Sequence, residues 1–283
     1  MFVFENERGR FFLKRYLSML GNYLLYLAVI ILVIFLYNTI IDPILGWGQF
    51  GKGENISIQL FMVLVATIGL SAVVYNIKYR ILKQTPESFW KLSGYSKINL
   101  SCAVHMITIG LAFTFLHSAV MKLLLYYNIT TFNDFTEEYY NSVPFAYLMV
   151  SSVITTALEL IVFIGIMFNE ARKNIPVFWP ILVISLIIGA LQEAGGIGMQ
   201  LLGVALGFIY GYIYIRTSSI WSIILIGIVF NTCLFGMKKV GWLDSMENMS
   251  EFTLIALAAV MGLYLLFSTL WYLRKTKCEL VDS

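Results

Sequence analysis

The sequence predicts an all-α membrane protein in which about eight helices cross the bilayer. Of its 283 residues, 59% are hydrophobic and 12% are charged, whereas soluble domains carry about 45 to 50% apolar and about 25% charged residues. Apolar runs of about 20 residues, each long enough to cross a hydrocarbon core of about 30 Å, recur along nearly the whole chain. The basic residues concentrate on one side of the predicted membrane. These observations exclude an ordinary soluble protein, and the lack of a long basic run argues against a nucleic-acid partner.

Eight apolar stretches are predicted to cross the membrane. In chain order they cover residues 20–41, 57–77, 100–127, 144–168, 177–192, 197–215, 220–237 and 252–273. The first is longer than a typical signal-peptide core and lacks a small-residue cleavage site after it, so we interpret it as a retained helix. The fifth is the shortest and ends at Gln192 and Glu193 beside two glycines. This ending predicts a broken helix that can stop within the bilayer.

The distribution of basic residues predicts the orientation of the chain. If the N-terminus is cytoplasmic, the outer loops receive only Lys52, Lys122, Lys238 and Lys239, and the other fifteen of the 19 Lys and Arg residues lie on the inner side. Such a bias is typical of cytoplasmic loops. We therefore expect both termini to be cytoplasmic.

Ionisable side chains at bilayer depth cost about 2.5 to 3.5 kcal/mol on insertion scales, so those that occur often mark a site. Glu159 is the most suggestive, and Glu170 and Glu193 lie nearer to helix ends. A three-or-four-residue spacing places a polar stripe on one helical face, formed by Ser152, Thr155, Thr156 and Glu159. Two interpretations stay open: a protonated Glu159 hydrogen-bonded within the bundle, or a cavity that binds a ligand.

Two further features of the apolar helices have structural interpretations. His105 and His117 are twelve residues apart on one helix, which separates them by about 18 Å along the axis and about 120° around it. They are therefore not expected to bind one metal together, and we interpret each as a hydrogen-bond partner between helices. Gly203, Gly207 and Gly211 form overlapping GxxxG steps, which favour close packing with another helix of the same chain.

The stretch from about Thr155 to Leu234 resembles the core of the CPBP family, also called Abi or type II CAAX protease-like proteins. The sequence ELIVFIG at 159–165 resembles the family's Glu-Glu-x-x-x-Arg-Gly motif, and IGALQ at 188–192 resembles its Phe-x-x-x-His motif. The stretch YIRTSSIW at 214–221 resembles the Tyr-x-Arg-Thr-x-Ser-x-Trp turn, and GIVFN at 227–231 resembles the final His-x-x-x-Asn motif. The resemblance implies a CPBP/Abi-like helical bundle. It also implies one transmembrane domain over 1–283, with three spans in 1–143, the core in 144–237, and an outer loop, the last span and a cytoplasmic tail in 238–283.

In active relatives the first Glu is thought to be a general base that activates a water, while the histidines and the terminal Asn or Asp belong to the metal and water site. By resemblance, Glu159 stands for that Glu and Asn231 for the terminal residue. The other positions depart from the motif: Leu160 replaces the second Glu, Ile164 the Arg, Gln192 the first His and Gly227 the second His. Because catalytic zinc typically has three protein ligands, we expect no bound metal. The predicted cavity is lined by Thr155, Thr156, Gln192 and Glu193, with Glu159 and Asn231 as vestigial catalytic residues.

The resemblance leads to a main and an alternative hypothesis of function. The main one is a proteolytically inactive protein of a bacterial plasma membrane that binds a membrane protein or a lipid-linked peptide, such as an envelope enzyme, a sensor kinase or a bacteriocin in self-immunity. The alternative is an enzyme with a rearranged site that uses Glu159, either an intramembrane endopeptidase, with zinc or another divalent ion, or a lipoprotein acyl-transfer enzyme. A solute transporter is disfavoured, because the sequence shows one helix break rather than one in each half.

Overall fold

The protein is described by a computed structural model that covers residues 2–46, 56–81, 88–92, 94–127, 129, 144–173, 175–190 and 196–272. All regular secondary structure in these residues is helical. The helices, in chain order, are α1 (Phe2–Leu36), α2 (Asp42–Leu45), α3 (Ile56–Ile81), α4 (Phe89–Leu92), α5 (Leu100–Tyr126), α6 (Phe145–Leu160), α7 (Asn169–Arg172), α8 (Phe178–Ala190), α9 (Gly196–Thr217), α10 (Ile220–Lys239), α11 (Trp242–Ser245) and α12 (Glu251–Phe267). Wider π-helical segments continue three of them, at Tyr37–Ile41, Ile161–Phe168 and Ser268–Tyr272.

Seven helical stretches within the described residues are long and apolar enough to cross a membrane. They are Tyr16–Leu45, Phe61–Ile81, Leu100–Tyr126, Phe145–Arg172, Ile197–Thr217, Ile220–Lys239 and Glu251–Leu270. The eighth apolar helix, Phe178–Ala190, has 13 residues and corresponds to the predicted short fifth span. The predicted all-α, multi-pass fold is therefore confirmed, while the orientation of the termini stays a prediction.

Local signals explain where several helices begin and end. At the end of α2, Gly46 adopts a φ of +64°, a left-handed conformation that glycine reaches without steric cost. The side chain of Asn99 accepts a hydrogen bond from the backbone N–H of Cys102 and caps the start of α5. Ser250 caps α12 in the same way through the N–H of Thr253.

The chain forms two compact units, which are described separately. The first consists of Met1–Gly94 and Leu158–Pro180. In it α1 packs along α3, and Val29, Val33, Tyr37 and Val63 form one buried cluster. The buried face of α3 repeats every four residues and includes polar as well as apolar side chains: Gln59, Val63, Thr67, Ser71 and Tyr75.

The second unit consists of Tyr95–Ala157 and Ile181–Ser283. In this unit α5 packs against both α10 and α12. The helices α5 and α10 approach closely, because a Cβ added at Gly110 would lie 2.9 Å from the carbonyl oxygen of Ile226. Near one end of these helices, Ala119, Met237, Met246 and Leu254 form a buried cluster.

The GxxxG stripe of α9 packs against α8 within this second unit. A Cβ added at Gly207 would lie 2.5 Å from the Cα of Ser185, and one at Gly211 would lie 3.1 Å from the side chain of Ile181. Small residues at these positions let the two helices approach closely. The predicted role of the stripe in packing within the chain is confirmed for Gly207 and Gly211.

Candidate functional site

A polar pair joins α6 to α10 in the second unit. The side-chain amide of Asn231 donates a hydrogen bond of 2.7 Å to the hydroxyl of Thr156. Ser152, one helical turn before Thr156, is buried like Thr156, and its hydroxyl has no hydrogen-bond partner among the described residues. Thr155, the next predicted lining residue, is half-buried. The structure thus brings Thr156 and Asn231 together and leaves a buried hydroxyl unused beside them.

The two histidines of α5 have different surroundings. His105 makes a backbone hydrogen bond with Ser268, as the predicted role between helices requires. His117 is buried instead among aromatic rings, with its ring centre 5.2 Å from that of Phe230 and 6.5 Å from that of Phe113. Its Nδ1 has no hydrogen-bond partner among the described residues. Aromatic packing, rather than the predicted hydrogen bond, therefore accounts for the position of His117.

The turn between α9 and α10 holds the most specific part of the family resemblance. Thr217 donates a hydrogen bond of 3.0 Å to the carbonyl of Ile213, and Ser96 donates one of 2.7 Å to the carbonyl of Ser218. Ser218 has a φ of 50°, in the left-handed region. Trp221 packs edge-on against Tyr95, with ring centres 5.8 Å apart. The contacts of Thr217 and Trp221 therefore stabilise the turn. This structural role explains why both residues occur in the family's turn motif, and it requires no catalytic role.

The predicted general base lies in the first unit. Glu159 is half-buried, and it makes no hydrogen bond or ion pair with any described residue. The helix widens into its π-helical segment two residues later, at Ile161, and such segments often occur at functional sites. Leu160 and Ile164, which replace the second Glu and the Arg, are 4% and 0% exposed. The two motif positions that follow Glu159 are therefore buried hydrocarbon side chains.

The residues at the motif positions do not fit a zinc ion. Leu160 and Ile164 offer no donor atom, and neither does Gly227, which is a buried glycine. Asn231 could offer only its neutral amide oxygen, which its bond to Thr156 through the amide nitrogen does not use. Among the described residues, no three His, Cys, Asp or Glu side chains come together as metal ligands, whereas a zinc site typically has three or four. Gln192 and Glu193, the other predicted lining residues, lie outside the described residues.

A second polar cluster, which we call the Glu170 cluster, lies in the first unit and consists of Asn22, Lys78, Tyr79, Glu170 and Lys173. The buried Glu170 carboxylate accepts hydrogen bonds from Lys78 at 2.6 Å and from the hydroxyl of Tyr79 at 3.2 Å. The ammonium of Lys173 lies 3.6 Å from the same carboxylate. Lys78 also donates a hydrogen bond of 2.8 Å to Asn22. The sequence indicates Glu170 as a candidate site residue, but it does not predict the partners of Glu170. The only sequence signal for a partner is the position of Lys78 near the end of an apolar span.

The comparisons with known proteins agree with the resemblance seen in the sequence motifs. The chain matches no curated protein and no solved structure. A family model matches residues 141–233, a segment that contains α6 to α9 and most of α10. Thr156, Glu159 and Asn231 all lie in this segment. Residues 141–233 match the family described as type II CAAX prenyl endopeptidase Rce1-like, a branch of the CPBP proteins, and the predicted resemblance is confirmed for this segment.

Proposed function

We propose that this chain is a proteolytically inactive relative of the CAAX endopeptidases that binds a membrane protein or a lipid-linked peptide. The observation that carries the proposal is that Leu160 and Ile164, both buried and without a metal-binding atom, stand where the peptidase motif has a Glu and an Arg. The terminal polar residue of the motif, Asn231, joins two helices through its amide nitrogen, and this bond does not use its amide oxygen. Envelope enzymes, sensor kinases and bacteriocin peptides are the partners that the resemblance favours, in a bacterial plasma membrane with both termini cytoplasmic.

The chemistry of the motif positions supports a protein without hydrolytic activity. Hydrolysis by a zinc peptidase requires a metal-bound water and a nearby base. Leu160, Ile164 and Gly227 supply neither ligands nor charge at positions where the motif has both. We therefore propose that no metal is part of the working protein, and that binding alone is its function.

The polar groups of the second unit support binding of a peptide segment. A peptide inside the bilayer needs partners for each backbone N–H and C=O group, because the hydrocarbon offers none. The Ser152 hydroxyl is buried and unpartnered, and the carbonyl oxygen of the Asn231 side chain is not used in its bond to Thr156. Ser152 and Asn231 therefore provide hydrogen-bonding capacity that a bound backbone could use.

Photo-crosslinking in living cells tests this proposal. A photoreactive amino acid at Val153, the half-buried neighbour of Ser152, should give one dominant cross-linked product. Asn231→Ala and Ser152→Ala, introduced into the labelled protein, should reduce that product by about fivefold or more, since each removes a hydrogen bond worth about 1 kcal/mol. A label at lipid-facing Val150 serves as the position control.

The matched control variant is Ser118→Ala. Ser118 is a buried serine of the same unit, and its hydroxyl donates a hydrogen bond of 2.8 Å to the carbonyl of Thr114 in its own helix. This substitution should leave the cross-linked product unchanged. If all three variants reduce the product equally, the effect comes from stability rather than binding. If none of them reduces it, the polar pair is not part of the binding surface.

A second candidate function, an enzyme that uses Glu159, is favoured by one observation. Glu159 stands at the position of the family's general base and makes no hydrogen bond or ion pair with a described residue. An ionisable side chain at membrane depth without a partner is often functional. An endopeptidase with a different metal arrangement, or an acyl-transfer enzyme acting on lipoproteins, would use this carboxylate as its base.

The Glu159→Gln variant separates the two functions. If the protein acts by binding, this nearly isosteric change should leave cross-linking at Val153 and the partner-dependent phenotype intact. If the protein is an enzyme, the phenotype should be lost while the cross-linked partner remains bound. Elemental analysis of the detergent-purified wild type and variant provides a second criterion, because near-stoichiometric metal that disappears with Glu159 would contradict the binding proposal.

A further inference from the structure

The Glu170 cluster lies at one end of three membrane-spanning stretches of the first unit. Lys78 is three residues before the end of its span at Ile81, and Glu170 is two residues before the end of its span at Arg172. Asn22 is six residues after the start of the first span at Tyr16, which corresponds to about 9 Å along the helix. The cluster therefore lies near the depth of the lipid headgroups, on the side where the basic residues concentrate.

Two buried tyrosines, Tyr23 and Tyr26, lie on α1 within four residues of Asn22, the residue that α1 contributes to the cluster. Tyr26 is 1% exposed and Tyr23 is 5% exposed, and neither hydroxyl has a hydrogen-bond partner among the described residues. The Tyr26 side chain lies within electrostatic reach of Glu170 and Tyr79. A buried hydroxyl without a partner is unfavourable, so the Tyr26 hydroxyl near a charged cluster indicates a missing hydrogen-bond partner.

The hydrogen-bonding groups of the cluster identify what is missing. Lys78 has three N–H donors, of which Glu170 and Asn22 use two. The remaining donors are the third N–H of Lys78, the hydroxyl of Tyr26, and the ammonium of Lys173. The main acceptor, the Glu170 carboxylate, already accepts hydrogen bonds from Lys78 and Tyr79, and Lys173 forms only a longer ion pair with it. The cluster has more donors than acceptors, so the ligand that completes it should be rich in acceptors.

The formal charge of the cluster agrees with such a ligand. Two lysines and one carboxylate, Lys78, Lys173 and Glu170, give a net charge of +1. A phosphodiester carries one negative charge and several acceptor oxygens. The side chains of Lys78 and Lys173 are 21% and 37% exposed, so a ligand at the membrane surface can reach both ammonium groups. Basic pockets between helices on the cytoplasmic side are a known mode of headgroup binding.

We propose that Lys78, Lys173 and Tyr26 bind the phosphodiester headgroup of an anionic phospholipid. The Lys78 ammonium contacts a phosphate oxygen through its third N–H while it keeps its bond to Glu170. The Tyr26 hydroxyl donates to the same phosphate or to the ester oxygens next to it. The site is independent of the polar pair on α6 and α10, so neither proposal depends on the other.

Native mass spectrometry of the full chain tests this site. The delipidated protein in detergent is titrated with phosphatidylglycerol and, separately, with phosphatidylcholine of the same acyl chains. We expect at least one phosphatidylglycerol to bind about tenfold more tightly than phosphatidylcholine. Tyr26→Phe should weaken phosphatidylglycerol binding by about tenfold, because a hydrogen bond to a charged group is worth about 1.5 to 3 kcal/mol. Lys173→Gln should weaken it further.

Two controls distinguish binding from a change in stability. Tyr37→Phe removes another buried tyrosine hydroxyl from the α1 stretch, about 16 Å further along the helix, and should leave phosphatidylglycerol binding unchanged. In the absence of lipid, Tyr26→Phe should unfold at the same temperature as the wild type or higher, because the deleted hydroxyl has no protein partner.

Each outcome has a defined meaning. Equal binding of the two lipids, or unchanged phosphatidylglycerol affinity in Tyr26→Phe, would overturn the proposal. Inorganic phosphate is titrated in a separate thermal-unfolding measurement. If millimolar phosphate raises the unfolding temperature as much as phosphatidylglycerol does, the site binds a soluble phosphate and the lipid assignment is wrong. If phosphate has no effect while phosphatidylglycerol does, the lipid assignment is supported.

Discussion

The amide of Asn231 and the hydroxyl of Thr156 form a 2.7 Å hydrogen bond between two helices that are 75 residues apart in sequence. In a zinc peptidase the terminal polar residue of this motif would belong to the metal and water site. Here it joins α6 to α10. Asn231, which the sequence motif indicates as a catalytic residue, therefore stabilises the packing of two helices in the family-matching segment.

We predict that Asn231 and Thr156 are energetically coupled. Thr156→Val and Asn231→Ala should each destabilise the protein, and the double variant should lose less than the sum of the two single losses. The coupling energy should be about 0.6 to 2 kcal/mol, as for other hydrogen bonds between membrane helices. Reversible unfolding in mixed micelles measures all four free energies of unfolding, and additive losses would show that the bond contributes no net stability.

The ion pair of Lys78 and Glu170 gives a second prediction. Lys78→Met leaves the Glu170 carboxylate buried, and among the described residues its remaining partners are Tyr79 and the more distant Lys173. Breaking a buried pair costs about 3 to 5 kcal/mol, and partial exposure of Lys78 reduces this to about 2 kcal/mol. Adding Glu170→Gln should restore most of the loss, because no unpaired charge remains. A double variant that is less stable than Lys78→Met would contradict this account.

The sequence predicts the membrane spans well, because each span is encoded by a long run of apolar residues. A run of about 20 apolar residues identifies a span, so seven spans and the short helix α8 are found at the expected places. Their ends are less well predicted: the first span, expected at 20–41, is Tyr16–Leu45. Flanking residues such as Tyr16 and Asp42 are polar enough to end the apolar run, yet they continue the helix because the backbone still requires its hydrogen bonds.

The candidate site is predicted only in part for a different reason. The spacing of Ser152, Thr155, Thr156 and Glu159 predicts a shared face, and Ser152 and Thr156 are indeed buried. The partner of Thr156 depends on how α10 is rotated about its axis, which no local pattern specifies. The partners of Glu170 lie 91 and 92 residues away. Contacts of this kind follow from helix packing, which is set by many weak side-chain interactions at once.

The close contact between α8 and α9 predicts a strong effect of side-chain size. Gly207→Val would place a Cβ 2.5 Å from the Cα of Ser185, so the two helices must separate. Over-packing of this kind typically costs about 1 to 3 kcal/mol. Gly236→Ala is the matched control, because an added Cβ there meets nothing within 4 Å. We expect the first variant to unfold at a clearly lower temperature in detergent, and the control to differ little from the wild type.

The contact between Tyr127 and Glu251 predicts a pH dependence at the end of α5. The Tyr127 hydroxyl donates a hydrogen bond to the Glu251 carboxylate. This bond and the negative charge of Glu251 raise the pKa of Tyr127 above its usual value of 10. Because the pKa is higher in the folded protein, the stabilising effect is complete below the pKa of the unfolded chain. It is lost as the pH rises through the pKa of the folded protein.

Tyr127→Phe should therefore destabilise the protein slightly near neutral pH, and the difference from the wild type should shrink at strongly alkaline pH. Glu251→Gln should move the titration of Tyr127 back toward its usual range, because the charge that disfavours the phenolate is gone. Ultraviolet difference spectra of the wild type, Tyr127→Phe and Glu251→Gln between pH 8 and pH 12 follow phenolate formation directly. The signal of Tyr127 is the difference between the wild-type spectrum and that of Tyr127→Phe. If this signal has a midpoint at or below pH 10, the hydrogen bond between Tyr127 and Glu251 does not form in solution.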